Sequence, residues 1–197
     1  MVLPINLRKM KIEIISGSPR KESVTFRVAK YLQKHLSGIT DASVNIIDMK
    51  EHDLPFVQKV WTSMDAVPEE WKELAQRVFS ADAFILVTPE YNGGYSPAMK
   101  NLLDHFPKQL HKPFGIVTAS PGAMGGMRAS QQMINLVAAL FGVASPHMLI
   151  VPAVDKKFDA EANLTDPAFF KAIELFTNEY LWLVNRIVAP KEVEPHA

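Results

Sequence analysis

The feature that most constrains this chain is an alternation of short apolar runs with helix-patterned segments. Lys11–Ile15, Ser43–Asp48, Ala83–Val87, Pro113–Ala119 and Met148–Val151 read as five strands, rich in bulky and β-branched residues. Between and after them the apolar residues switch to helical spacing. Val24, Val28, Leu32 and Leu36 line one face of a first helix, and Trp71, Leu74, Ala75 and Val78 follow Pro68 in a second. Met99, Leu102, Leu103 and Phe106 mark a third helix from about Ala98, ended by Pro107, and Ala129, Met133, Leu136, Val137 and Leu140 a fourth. Asp166 and Pro167 open a last helix, while Gly38 and Gly142 stand where helices would stop. Strand–helix alternation predicts an α/β fold whose parallel sheet is covered on both faces and joined by right-handed crossovers. Five strands suit the doubly wound order 2-1-3-4-5, with the switch point between the first and third.

Composition narrows the function classes. A length of 197 residues fits one domain spanning 1–197, with 1–10 as an N-terminal extension. Lys plus Arg and Asp plus Glu are 21 each, so no basic field points to nucleic acid. Cysteine is absent, which removes disulfides, thiolate metal sites and thiol nucleophiles and is compatible with a cytoplasmic home. The opening MVLPINLRKMK lacks the continuous apolar run of a signal peptide, and no stretch has the length of a membrane span. A small-molecule ligand is expected, with no nucleic acid and no membrane.

Three strand-to-helix connections carry the chemistry. Ser16 to Thr25 precedes a helix, so backbone N–H groups and the helix dipole can converge on an anion, helped by Ser18, Ser23, Thr25 and the planar fork of Arg20. A serine-rich helix cap with exposed charges explains the same residues. The loop is neither GxxxxGK[ST] nor GxGxxG. The second connection, in FILVTPEYNGGYSPAMKNLLD (Phe84–Asp104), joins Pro89, Glu90, Tyr91 and Asn92 to the pair Gly93-Gly94, with Ser96 and Pro97 opening the next helix. The third, Ser120 to Gly126, is again glycine-rich. In the 2-1-3-4-5 order the three converge at the carboxyl edge of the sheet. Phosphate on one loop and a flat heterocycle between two others describe a mononucleotide, and FMN fits.

GSPRKESVTFRVA (Gly17–Ala29), TPEYNGGYSPAMKNLLD (Thr88–Asp104) and SPGAMGGMRA (Ser120–Ala129) resemble the three FMN-contacting segments of the NADPH-dependent FMN reductase family, which includes flavodoxin-like quinone, chromate and azo-compound reductases. The resemblance spans roughly Lys11 to Val151 and implies a flavodoxin-like three-layer sandwich. It implies phosphate-binding roles for Ser18, Arg20, Ser23 and Thr25, with backbone from Val24. Pro89, Glu90, Tyr91, Asn92 and Gly93 match the segment along the isoalloxazine edge. Ser120, Gly122, Gly125 and Gly126 match the loop on the far side of the ring. Gly94 stands where serine is common in the family, and Thr25 where asparagine is frequent.

The implied activity is ping-pong: NADPH or NADH delivers hydride to flavin N5, and a small acceptor such as a quinone, azo compound, chromate or free flavin takes the electrons. No protein residue is then expected as catalytic acid, base or nucleophile, and no metal is expected. Glu90 has the chemistry of a general base, but no nucleophile or histidine lies at motif spacing, so it reads as a structural or backbone contact. Rival readings are a flavodoxin-type electron carrier and a flavin-free scaffold on the same fold. Carriers of that type are generally acidic, whereas this chain is neutral. The family resemblance implies a homodimer or homotetramer. Met49–Val67 loses periodicity and leaves Phe56 and Trp61 either to fold back or to meet a partner. His105 reads as a dipole-stabilised or solvent-facing residue at a helix end. Met124, Met127 and Met133 read as core filler.

Overall fold

The computed structural model describes residues 9–188; most of the 1–10 extension lies outside them. Strands β1 (Lys11–Ser16), β2 (Ser43–Asp48), β3 (Ala83–Thr88) and β4 (Pro113–Ser120) form a parallel sheet in the order β2-β1-β3-β4. The fifth lane, beside β4, is shared by two pieces. β5 (Val143–Ala144) pairs with Pro113–Phe114, and β6 (Leu149–Pro152) pairs with Val117–Ser120. Five lanes in the order 2-1-3-4-5 are as expected. The split of the last lane is not, because its first piece contributes only two residues, too short to carry an alternation.

Helices α1 (Val24–Ile39), α2 (Lys72–Ser80), α3 (Pro97–Asp104), α4 (Met127–Ala139), the short α5 (Val154–Lys157) and α6 (Phe170–Val188) complete the chain. α1 runs through Gly38 to Ile39, since helix geometry tolerates an exposed glycine at the cost of about 1 kcal/mol. Asp166 caps a 3-10 turn, Pro167–Phe169, that leads into α6.

The period-2 alternation of the strands divides the core into two layers. Phe84 and Leu86 of β3 face a cluster with Leu74 and Val78 of α2, Met99 and Leu102 of α3, and Met133 and Leu136 of α4. Ile85 and Val87 face the opposite cluster, with Val28, Leu32 and Leu36 of α1 and Ile173, Phe176 and Tyr180 of α6. Glu13, the acid among the apolar residues of β1, is buried and bonded through both oxygens to Arg77 of α2, at 3.3 and 2.5 Å. Helices on both faces leave the carboxyl edge of the sheet to the β1–α1, β3–α3 and β4–α4 loops. No helix among the described residues is long and apolar enough to cross a membrane.

The aperiodic stretch from Met49 to Val67 resolves its two aromatics in opposite ways. Trp61 is 5% exposed, donates its backbone N–H to His105 O at 2.7 Å and lies 4.4 Å from the His105 ring. Phe56 is 86% exposed. His105 sits at the C-terminal cap of α3, as expected, but is buried rather than solvent-facing. Trp61 covers it, and its Nδ1 meets Asn101 O at 2.8 Å.

Candidate functional site: three loops at the carboxyl edge of the sheet

The β1–α1 loop is anchored where Gly17 N donates to Val87 O at 2.8 Å. Ser18 is buried, and its Oγ accepts weakly from Arg20 N at 3.4 Å. Ser23 is the N-cap of α1, its Oγ accepting from Phe26 N at 3.2 Å, which leaves its O–H free to donate outward. Thr25 is buried in the first turn beside Val24. No acidic residue stands in that turn, so the positive end of the helix dipole is uncompensated by its own helix. Arg20 is exposed. Its guanidinium carbon lies 4.9 Å from the ring centroid of Tyr91.

The β3–α3 loop is the hub. Thr88, fully buried, closes it at both ends: its Oγ1 accepts from Ser96 N and donates to Pro89 O, each at 2.9 Å. Tyr91 and Gly94 exchange both backbone hydrogen bonds, Tyr91 N to Gly94 O at 2.8 Å and Gly94 N to Tyr91 O at 3.0 Å. Between them Asn92 and Gly93 have φ of 51° and 81°, the positive values that a two-residue hairpin turn of type I′ requires at both positions. The Asn-Gly dipeptide was the legible signal for this hairpin, and reading the stretch only as a glycine loop passes over it. Gly94 takes part in this pairing through its backbone alone.

The carboxylate of Glu90 reaches α4. Its Oε2 accepts from Arg128 N at 3.0 Å and Ala129 N at 3.3 Å, and Oε1 lies 3.5 Å from the Arg128 guanidinium. Glu90 therefore caps α4 from outside, where the helix's own N-cap, Gly126, has no side chain to do so.

In the β4–α4 loop Ser120 Oγ accepts from Gly122 N at 3.1 Å, and Gly125 N donates to Gly122 O at 3.2 Å. Gly125 and Gly126 have φ of 59° and 87°. A Cβ on Gly125 would lie 2.7 Å from Pro152 N, and one on Gly126 2.9 Å from Thr118 Cβ, so both positions need glycine for conformation and for space. Below Gly126 the buried Thr118 Oγ1 has no hydrogen-bond partner, nor does the buried hydroxyl of Tyr91. Met133 is in the core, but Met124 and Met127 are about half exposed at this loop, contrary to a core role.

Pro19, Arg20, Glu90, Tyr91, Asn92, Tyr95 and Pro97 line an open cleft of about 830 Å³ between the first two loops. A second cleft, of about 710 Å³, shares Pro19 and Pro97 and continues along His52, Leu54 and Phe56. Its wall is fixed by Asn101, whose Nδ2 donates to Leu54 O and Pro55 O, each at 3.0 Å. That clamp joins residues 46 and 47 positions apart and has no local sequence signal.

A doubly wound sheet with anion-binding features after β1 and two glycine-shaped loops after β3 and β4 defines a flavodoxin-like mononucleotide-binding protein. Residues 10–155 match the family described as NADPH-dependent FMN reductase. An FMN-dependent NADPH-azoreductase of Staphylococcus aureus is 32% identical over 185 residues, covering 89% of this chain and 96% of that protein. Among solved structures, a flavoenzyme NAD(P)H:(acceptor) oxidoreductase from Paracoccus denitrificans superposes with a TM-score of 0.74 at 23% identity, over 90% of this chain and 98% of its own. A flavodoxin from Pseudomonas aeruginosa superposes with a TM-score of 0.51 at 21% identity, over 88% and 99%.

The chain belongs to the NADPH-dependent FMN reductase family and is an NAD(P)H-dependent oxidoreductase with FMN as its cofactor. Its residues fit that group. Hydroxyls, a guanidinium and helix-terminal N–H groups suit a phosphate, and two backbone loops shaped by positive-φ glycines suit the edges of a planar ring.

Proposed function

We propose that the three loops hold FMN, and that the enzyme passes electrons from NAD(P)H to a small acceptor, an azo compound or a quinone first among them. Chromate and free flavin are further candidate acceptors. The observation that carries this reading is the β3–α3 hub, which touches the first loop through Tyr91–Arg20 and the helix after the third loop through Glu90–Arg128. Bound FMN would supply the redox chemistry, accepting hydride from the nicotinamide and releasing electrons to the acceptor.

The chain's own residues bind and orient. Ser18, Ser23 and Thr25, the first-turn amides from Val24 onward, and Arg20 meet the phosphate. Pro89, Glu90, Tyr91, Asn92 and Gly93 form the wall along one edge of the ring, with Glu90 acting by fixing that wall to α4. Ser120, Gly122, Gly125 and Gly126 bring backbone to the other side. No side chain is assigned a proton-transfer role. Phe56, presented by a loop that Asn101 pins, supports a homodimer or homotetramer in which that face is covered. A cysteine-free chain suits a cytoplasmic enzyme.

The test is an acceptor panel on FMN-loaded protein, with NADPH and NADH compared against an azo dye, a quinone, chromate and free FMN. Turnover of at least one acceptor without any added protein partner is expected. FMN-loaded protein that oxidises nicotinamide only when a second protein is added would indicate an electron carrier and overturn the proposal.

A further inference from the structure

The geometry points to Tyr91 as a positioning residue for Arg20: its ring, not its hydroxyl, holds the guanidinium at the mouth of the cofactor cleft. This inference rests on reading that cleft as the FMN site.

Arg20 lies in an exposed loop, and a free arginine side chain has much rotamer entropy to lose on binding. Among the described residues no carboxylate pairs with it, so the ring of Tyr91, 4.9 Å away, is the partner that gives it a preferred direction. Stacking uses only the face of the guanidinium and leaves its edge N–H donors available to a phosphate.

Tyr91 in turn is held at both ends. Its backbone N–H and C=O are both bonded to Gly94 across the Asn92-Gly93 turn, and its hydroxyl is buried at the far end of the ring. That hydroxyl meets no hydrogen-bond partner, so it adds desolvation without a compensating bond, and the aromatic face is the part that acts. The two residues come from different loops, 71 positions apart. Their contact therefore ties the phosphate side of the cleft to the ring side before any ligand arrives. Ordering a cation in advance lowers what must be ordered at binding.

The test measures FMN dissociation constants by flavin fluorescence on dilution of FMN-loaded, full-length protein. It compares Tyr91→Phe, Tyr91→Leu, Arg20→Ala and the double variant Tyr91→Leu/Arg20→Ala. Tyr91→Phe, which keeps the ring, should stay within about twofold of wild type, and Tyr91→Leu should weaken binding roughly three- to thirtyfold. The loss caused by Tyr91→Leu should be several-fold smaller in the Arg20→Ala background than in wild type, because the share that acts through the arginine is already gone. Tyr91→Met, which keeps bulk without an aromatic face, replaces Tyr91→Leu if that variant does not fold. Equal losses for Phe and Leu, or a Leu loss that persists in full without Arg20, would overturn the inference. Wild-type protein that takes up no FMN would overturn the cleft reading as well, so the two failures are distinguishable.

Discussion

The carboxylate of Glu90 lies across the first turn of α4, bonded to the backbone N–H of Arg128 at 3.0 Å. One loop of the site thus caps the helix that follows another. A residue with the chemistry of a general base is engaged in holding two backbone segments together.

Replacing Glu90 by Ala should destabilise the protein by about 0.5–2 kcal/mol, the range for losing a helix cap, and loosen the β4–α4 loop. Glu90→Gln, which keeps an acceptor, should lose less. With FMN saturating, the NADPH oxidation rate of Glu90→Gln should remain within about tenfold of wild type, whereas removing a true acid–base group costs roughly 100-fold or more. Thermal unfolding and steady-state kinetics check the two halves separately.

Gly122 and Gly125 share a loop but not a constraint. Gly125→Ala places a Cβ 2.7 Å from backbone at Pro152 with φ of 59°, and should cost about 2–4 kcal/mol from left-handed strain plus overpacking. At Gly122 a Cβ meets only Ser120 Oγ, at 3.4 Å, so Gly122→Ala should stay within about 1 kcal/mol. Denaturant midpoints of the two variants are the comparison.

The Met49–Val67 segment separates stability from association. Trp61 packs on His105 and Phe106, so Trp61→Ala should cost about 3–5 kcal/mol. Phe56→Asp should leave the unfolding of the individual chain within about 0.5 kcal/mol, since the side chain touches so little of it. In sedimentation velocity the same variant should shift the proposed homodimer or homotetramer toward smaller species.

Burial lowers the pKa of His35, with Glu174 opposing, while the ring packs against Tyr31 and Phe170. His52 is lowered likewise, by burial and then by Arg77. A histidine depressed in the folded state contributes stability that is present above the unfolded value of about 6.5 and lost as pH falls toward the folded value. Wild type should therefore lose melting temperature between pH 7.5 and 5.5, and His35→Gln/His52→Gln should lose less over the same interval.

The sheet order is legible because β3 and β4 are mostly apolar, β1 carries Ile12, Ile14 and Ile15, and helix-patterned segments separate them. The fifth lane was half legible: Leu149–Val151 carries a pattern, but Val143–Ala144 is too short to have one. In the site, the glycines of the third loop and the cap residues Ser23 and Ser96 announced themselves by local chemistry. The backbone donors to Glu90, the clamp of Asn101 and the stacking of Arg20 on Tyr91 join residues 38 to 71 positions apart. Such contacts follow from the packing of loops and leave no periodic trace. The burial of His105 is invisible for the same reason, since the tryptophan that covers it lies 44 positions earlier, in a stretch without periodicity.

Anaerobic stopped-flow spectroscopy of FMN-loaded protein shows whether these loops hold an FMN that NAD(P)H reduces before the acceptor binds. Mixing with NADPH alone should bleach the visible flavin band in full, and a second mix with quinone should restore it. A flavin that stays oxidised until nicotinamide and acceptor are present together, or a protein that retains no flavin, would contradict the account.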